Sequence, residues 1–304
     1  MAATRPPSGH QHVIVHGSAR AEITQAGATL RRYTVGRHDV IDGFGRDERA
    51  TDGRGQILAP WPNRITDGRY SYRGQTCQAP LNEPDRHDAI HGLARWLDWH
   101  EIARSDDSTT LACTIRPQPG YEWQLELQVA YTLGADGLAV TLQARNVDTD
   151  TAPFGAGFHP YLRVGADPVD GLDLHLPARA HLDPETATMV PVAGSAWDFT
   201  DARRIDSVQL DTAYGELVRG EDGMAQARLS DPGTGRSVEL WVDEGYHYLM
   251  AYTADQVGRP DRRRRAVAVE PMTCPPEAFR SGVDVIDLDP GATWTGTWGV
   301  RFDG

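Results

Sequence analysis

The sequence predicts an all-β fold, and three observations carry that expectation. Apolar residues alternate along Leu125, Leu127, Val129, Tyr131 and Leu133, and again along Leu138, Val140, Leu142 and Ala144, with Gly134-Ala135-Asp136-Gly137 between the two arms. Period two is the repeat of a half-buried strand, so this stretch reads as a hairpin with one face in a core. The 31 glycines and 20 prolines suit many short strands joined by turns. No window of comparable length keeps a helical period.

Composition excludes several function classes. The chain of 304 residues carries 43 acidic against 30 basic side chains, a formal charge of −13, which repels phosphate backbones and anionic lipid. No nucleic-acid or membrane partner is expected. Every basic side chain is arginine, so chemistry through a lysine Schiff base, including attachment of pyridoxal phosphate, is excluded. Cys77, Cys113 and Cys274 are far apart and form no CxxC pair, which points to a reducing, cytoplasmic setting. No apolar stretch approaches the ~18 residues of a membrane span, and the N-terminus lacks a signal-like apolar region.

Taken in order, residues 1–11, with Pro6-Pro7-Ser8-Gly9, read as a disordered lead, and residues 12–304 as a single domain. His10 and His12 could ligate metal by spacing, but no metal site is expected there. Val13-Ile14-Val15, Ala21-Glu22-Ile23 and Ala28 to Tyr33 read as strands of a meander separated by Gly17 and Gly27. Leu58-Ala59-Pro60-Trp61-Pro62-Asn63-Arg64-Ile65 is a rigid, irregular loop because two prolines flank Trp61. An indole beside Asn63 and Arg64 suits a sugar ring, the aromatic face under its carbons and the amide and guanidinium on its hydroxyls. Arg64 reads equally as a structural arginine paired to an acid.

Two histidines sit in unusual company. Asp88-Ala89-Ile90-His91-Gly92-Leu93 places His91 before a glycine, which lets another group approach closely. In Phe154-Gly155-Ala156-Gly157-Phe158-His159-Pro160-Tyr161, Pro160 holds His159 extended. An imidazole with an ordinary pKa near ~6.5 suits an acid that must re-protonate, while core packing is the alternative for both. After Ser237 to Val242, another strand, Arg262 to Arg265 reads as an exposed loop. Ala266-Val267-Ala268-Val269 is a short buried strand that delivers Glu270, and Pro271 is expected to end it there. A desolvated carboxylate at such a place serves as a proton acceptor near neutral pH, or else caps the loop from Met272 to Pro276. Trp294 to Val300 closes the chain as a last strand.

Pro60 to Ile65, Ala89-Ile90-His91-Gly92-Leu93, Gly157-Phe158-His159-Pro160-Tyr161 and Val269-Glu270-Pro271-Met272-Thr273 come in the order of one family. The chain resembles the aldose 1-epimerases, or galactose mutarotases. That resemblance implies a β-supersandwich of mostly antiparallel strands whose concave face holds one monosaccharide. It implies Glu270 as general base, His159 as general acid, His91 near the ring oxygen, Arg64 on substrate hydroxyls and Asp211 on a further hydroxyl. Asn63 and Tyr161, inside the same stretches, join the binding set. The implied reaction interconverts the α and β anomers of a free hexose, one carboxylate and one imidazole acting from opposite sides of the sugar without metal, nucleotide or other cofactor. Each proton transfer is worth ~10²–10⁴-fold. The expected protein is a monomer or weak homodimer.

Other readings stay open at this stage. They are a noncatalytic carbohydrate-binding or regulatory module, an epimerase for a phosphorylated or sulfonated hexose, and a glycoside hydrolase using Glu270 with Asp211.

Overall fold

A computed structural model of the chain describes residues 5–165 and 167–304. Its largest sheet has nine strands, in the order His100–Arg104, Ser108–Ile115, Leu125–Gly134, Gly137–Asn146, Thr293–Asp303, Arg236–Val242, Ala225–Asp231, Asp173–His175 and Arg203–Arg204. The pattern that predicts the hairpin sets its register, with Leu127 opposite Ala144, Val129 opposite Leu142 and Tyr131 opposite Val140. These side chains are fully buried while those between them meet solvent. Thr293–Asp303 lies between Gly137–Asn146 and Arg236–Val242, so the end of the chain is held in the middle of the sheet.

A second sheet runs Met189–Pro191, Ala178–Leu182, Asp211–Leu217, Tyr248–Tyr252, Val267–Met272, Gly157–Phe158 and Ile57–Leu58, with Tyr161–Leu162 also paired to Val267–Met272. Its two faces have different fates, which follow from period two. Val267, Val269, Leu249, Ala251 and Tyr214 enter the main core shared with the nine-stranded sheet. Ala268, Met272, Met250, Tyr248 and Ala213 fall on the opposite face, in two small apolar clusters. Glu270, between Ala268 and Met272, belongs to that second face. Both sheets and a third, from Gln11–His16 to His38–Asp39, are antiparallel throughout. Among the described residues no helix is long and apolar enough to cross a membrane.

Four expectations change. The strand carrying Glu270 does not stop there; it runs through Pro271 to Met272. Backbone N–H groups alternate sides along a strand, so the position of Pro271 faces the same way as that of Val269, which donates to Pro160 O at 3.2 Å. Pairing on that side breaks between Gly157 and Tyr161, and the missing donor of Pro271 falls in the gap. Trp61 is not an exposed platform. It is 2% accessible and packs in the main core, 5.7 Å from Phe279 and 6.5 Å from Tyr121.

The arginine run is no free loop face. Arg262 bonds Gly43 O and Glu48, Arg264 bonds Asp170 and Asp255 at 2.7 Å each, and Arg265 approaches Asp42 at 3.2 Å. Of the lead, residues 1–4 lie outside the described residues. From Ser8 on the chain is bonded into the fold, with Ala26 N donating to Ser8 O and Gln25 N to His10 O, and the first strand takes in Gln11. His12 lies in that strand, 5% accessible, with Nδ1 at 2.7 Å from Glu101.

Candidate active site

The floor of the site is the second face of the second sheet. Asp211 pairs with Tyr252, Ala213 with Met250, and Met250 with Glu270, so Asp211 and Glu270 stand diagonally across three adjacent strands on one face. Glu270 is 2% accessible and Asp211 is exposed. Burial first, then the nearby charge of Asp211, pushes the Glu270 carboxyl well above the ordinary range.

His159 comes from the break between Gly157–Phe158 and Tyr161–Leu162, and its backbone is held on both sides by one segment. His159 N donates to Gln56 O and Gly55 N donates to His159 O. Its ring is clamped: Tyr161 stacks on one face at 4.9 Å and 14°, and Gly53 lies against Cδ2. A Cβ on Gly53, whose φ is +74°, would stand 2.4 Å from that carbon, so the close approach and the left-handed backbone both require glycine. His159 Nε2 is 3.2 Å from Glu270 Oε1. Burial first, then the positive charge of Arg54, pushes His159 down to about 3. Both shifts have one sense. Each disfavours the charged form of its group, so a protonated carboxyl beside a neutral imidazole is favoured over two separated charges.

The facing wall is a short ladder in which Arg64 pairs with Ile90, setting Asn63 beside His91. Both residues adopt positive φ, 55° at Asn63 and 62° at His91, and each fixes the other. His91 N donates to Asn63 O at 2.9 Å, and Asn63 N donates to His91 Nδ1 at 3.2 Å. With Nδ1 accepting, the ring proton is assigned to Nε2. Burial pushes His91 well below its ordinary value, and a proton on His159 close by would push it further the same way. His91 is thus a neutral donor, set edge-on to His159 with ring centroids 5.5 Å apart. Arg64 is held by Glu83 in a two-bond fork of 2.6 and 2.9 Å, so the acid-paired reading of this arginine and its place in the cavity are both realised.

Glu270, His159, Arg64, His91, Asp211, Asn63 and Tyr161 all line one cavity of about 390 Å³. This fold thus brings together the seven residues expected in the site and leaves Trp61 in the core. The acid and base are neighbours, however, not groups facing each other across a sugar. Tyr161 spends its hydroxyl on Asp52 O at 2.8 Å, which leaves its ring as the part that matters to the site.

Sequence reasoning missed Asp52, Gly53, Glu83, Arg95, Met250 and Tyr252, which line the same cavity. Gly53 had a signal in Asp52-Gly53-Arg54-Gly55, where two glycines flank a charge. Met250 and Tyr252 had none, since in sequence they are ordinary members of an apolar strand.

A buried carboxyl and imidazole in contact, a fixed ring N–H and a held arginine are groups that can exchange protons with, and hold, a small polar ligand. The comparisons with known proteins agree in kind. A family model described as aldose 1-epimerase matches residues 10–301. The chain is 34% identical over 292 residues to an uncharacterized protein, YihR, of Escherichia coli K12, covering 93% of this chain and 90% of that one. It is 27% identical over 282 residues to a maltose epimerase of Levilactobacillus brevis, covering 82% and 81%. The crystal structure of a GalM/aldose epimerase homologue from C. elegans superposes with a TM-score of 0.85 at 17% identity, covering 97% of this chain and 99% of that one.

Gly53→Ala is expected to destabilise the protein by about 1 kcal/mol or more, through the left-handed backbone and the contact with His159. Urea unfolding checks the stability, and histidine NMR checks for a displaced His159 ring. Unchanged stability with an unchanged His159 signal would show that this contact is slack.

Proposed function

The chain belongs to the aldose 1-epimerase family, and from this premise we propose that it interconverts the α and β anomers of a free hexose by acid–base ring opening and reclosure. The observation that carries the proposal is the 3.2 Å contact between His159 Nε2 and Glu270 Oε1. The two oxygens that exchange protons in this reaction, O1 and the ring oxygen, are bonded to the same carbon. An acid and a base that serve both must therefore be neighbours, and a pair already in contact meets that requirement.

In the proposed step a proton crosses the pair to give the Glu270 carboxylate and the His159 imidazolium. Glu270 removes the O1 proton, and the O1–H electrons become the second bond of the C1 carbonyl. The C1–ring-oxygen bond breaks, and its electron pair takes the proton from His159. The open aldehyde leaves Glu270 protonated and His159 neutral, the state that burial favours in the empty cavity. After rotation of the aldehyde the same two transfers run in reverse from its other face. His91 Nε2–H is suited to hold a sugar oxygen throughout, and Asn63, Arg64 and Asp211 are suited to hold hydroxyls.

Arg95 favours a second reading of the substrate. It lines the cavity, its Nε makes no hydrogen bond, and it forms no salt bridge among the described residues. The nearby Glu83 already holds Arg64. A guanidinium without an acid in a cavity wall suits an anionic oxygen group, which a hexose carrying a phosphate or sulfonate would supply.

Glu270→Gln and His159→Asn are each expected to lower kcat by about 10²–10⁴-fold, with a double variant little worse than the poorer single. Polarimetry of freshly dissolved sugars measures this. Near-wild-type turnover in either single variant would remove that residue from the chemistry, and sugar binding without turnover in the unaltered protein would favour a binding module. For the substrate, Arg95→Gln is expected to raise KM for a phosphorylated or sulfonated hexose by roughly 10- to 100-fold and to leave a neutral hexose within about twofold. Equal effects on both would discard the anionic reading.

A further inference from the structure

The stretch that wraps His159 ends in an arginine with no place in the reaction as described. Arg54 is 1% accessible, and its guanidinium lies 4.4 Å from the centre of the Tyr161 ring. The other neighbour of that ring is His159, nearly parallel to it at 4.9 Å. Imidazole, phenol and guanidinium therefore sit in contact one after another. Arg54 Nη1 bonds Asp52 at 2.9 Å and Nε bonds Asp42 at 3.2 Å, while Nη2 makes no hydrogen bond.

Asp42 is itself buried and receives two arginines of the run at 262–265. Arg265 approaches it at 3.2 Å and Arg262 at 3.7 Å. Asp42 N also donates to Tyr161 O at 2.8 Å. The run that sequence reading leaves as a loop is thus one carboxylate, one guanidinium and one ring away from the proposed acid. Buried ion pairs seldom stabilise a fold more than apolar packing of the same volume would, so an arginine in this position calls for another role.

We propose that Arg54 is a positioning residue for His159 that acts through the ring of Tyr161, and that Arg262 and Arg265 support it by holding Asp42. The proposal rests on reading His159 as the acid. Two effects follow from the geometry. The flat guanidinium backs the Tyr161 ring, which fixes the plane of the imidazole against Gly53. Its charge also opposes the imidazolium, so that the proton, once on His159, is given up readily to a sugar oxygen. The other groups facing His159 are Glu270 at 3.2 Å, His91, Asp52 and Arg95. Of these, Asp52 also binds Arg54 through its carboxylate and accepts from the Tyr161 hydroxyl through its backbone oxygen.

The test uses the full chain with labelled histidine, the His159 signal being assigned by its loss in His159→Asn. Arg54→Gln removes the charge but leaves Asp42 with Arg262 and Arg265, and the His159 titration midpoint is expected to rise by about one unit. Arg54→Lys keeps the charge but not the flat face. It is expected to hold the midpoint near that of the unaltered protein while kcat falls about 10- to 100-fold and KM stays within about twofold. A folded Arg54→Gln protein with an unmoved midpoint overturns the proposal, as does wild-type kcat in Arg54→Lys or an equal midpoint shift in both variants. If Arg54→Gln does not fold, the Arg54→Lys kinetics decide. If the unaltered protein turns over no sugar, the titration alone decides, because it reads His159 directly and so separates this proposal from the epimerase reading.

Discussion

The structure depends on one contact, a carboxyl and an imidazole held 3.2 Å apart on the apolar face of a sheet. Water would solvate both groups and let each titrate alone. Here Ala268 and Met272 flank Glu270 along its strand, Met250 is its partner on the next, and the ring of Tyr161 covers His159. Enclosed in this way, two separate charges cost more than two neutral groups side by side.

The rest of the fold can be understood as what such a contact requires. A strand must present a carboxylate on its second face without exposing its first, and the nine-stranded sheet covers the first face with Val267 and Val269 in the shared core. The imidazole must reach that carboxylate from the neighbouring strand, and it does so where Gly157–Phe158 and Tyr161–Leu162 are interrupted. Pro271 is tolerated for the same reason, since the donor it lacks would point into that interruption. The strain of Asn63 and His91 at positive φ is balanced by their mutual hydrogen bonds and leaves one ring N–H of His91 free for a ligand.

Much of this was legible in the sequence because it rests on local pattern. Period two in Leu125 to Ala144 specifies the hairpin and its buried face, and the four ordered stretches hold the acid, base and wall residues that converge on the cavity. What was not legible depends on partners distant in the chain. Trp61 reads as a sugar platform until Phe279 and Tyr121 close over it. The run at 262–265 reads as a solvated loop until Asp42, Glu48, Asp170 and Asp255 arrive from other segments. Arg95 has no ion-pair partner among the described residues, and Glu83, whose charge acts on it, is held by Arg64. That the acid and base touch could not be read at all, because spacing in sequence carries no distance between strands.

The most direct test is the pH dependence of kcat/KM for anomer exchange, followed by exchange NMR at equilibrium, because this quantity reports the groups of the free enzyme. In the proposed reaction the active pair carries one proton. A second can enter only on His159, whose affinity burial has pushed down to about 3, while Glu270, raised well above the ordinary carboxyl value, keeps the first. Burial holds His91 well below its ordinary value, so no limb near ~6.5 is expected from it. The expected profile is therefore level from pH ~6.5 down to ~4.5, with its acid limb below both ordinary values and its alkaline limb set by loss of the shared proton. An acid limb centred near ~6.5 or near ~4.5 would mean that histidine and glutamate titrate separately, and would contradict the shared-proton account.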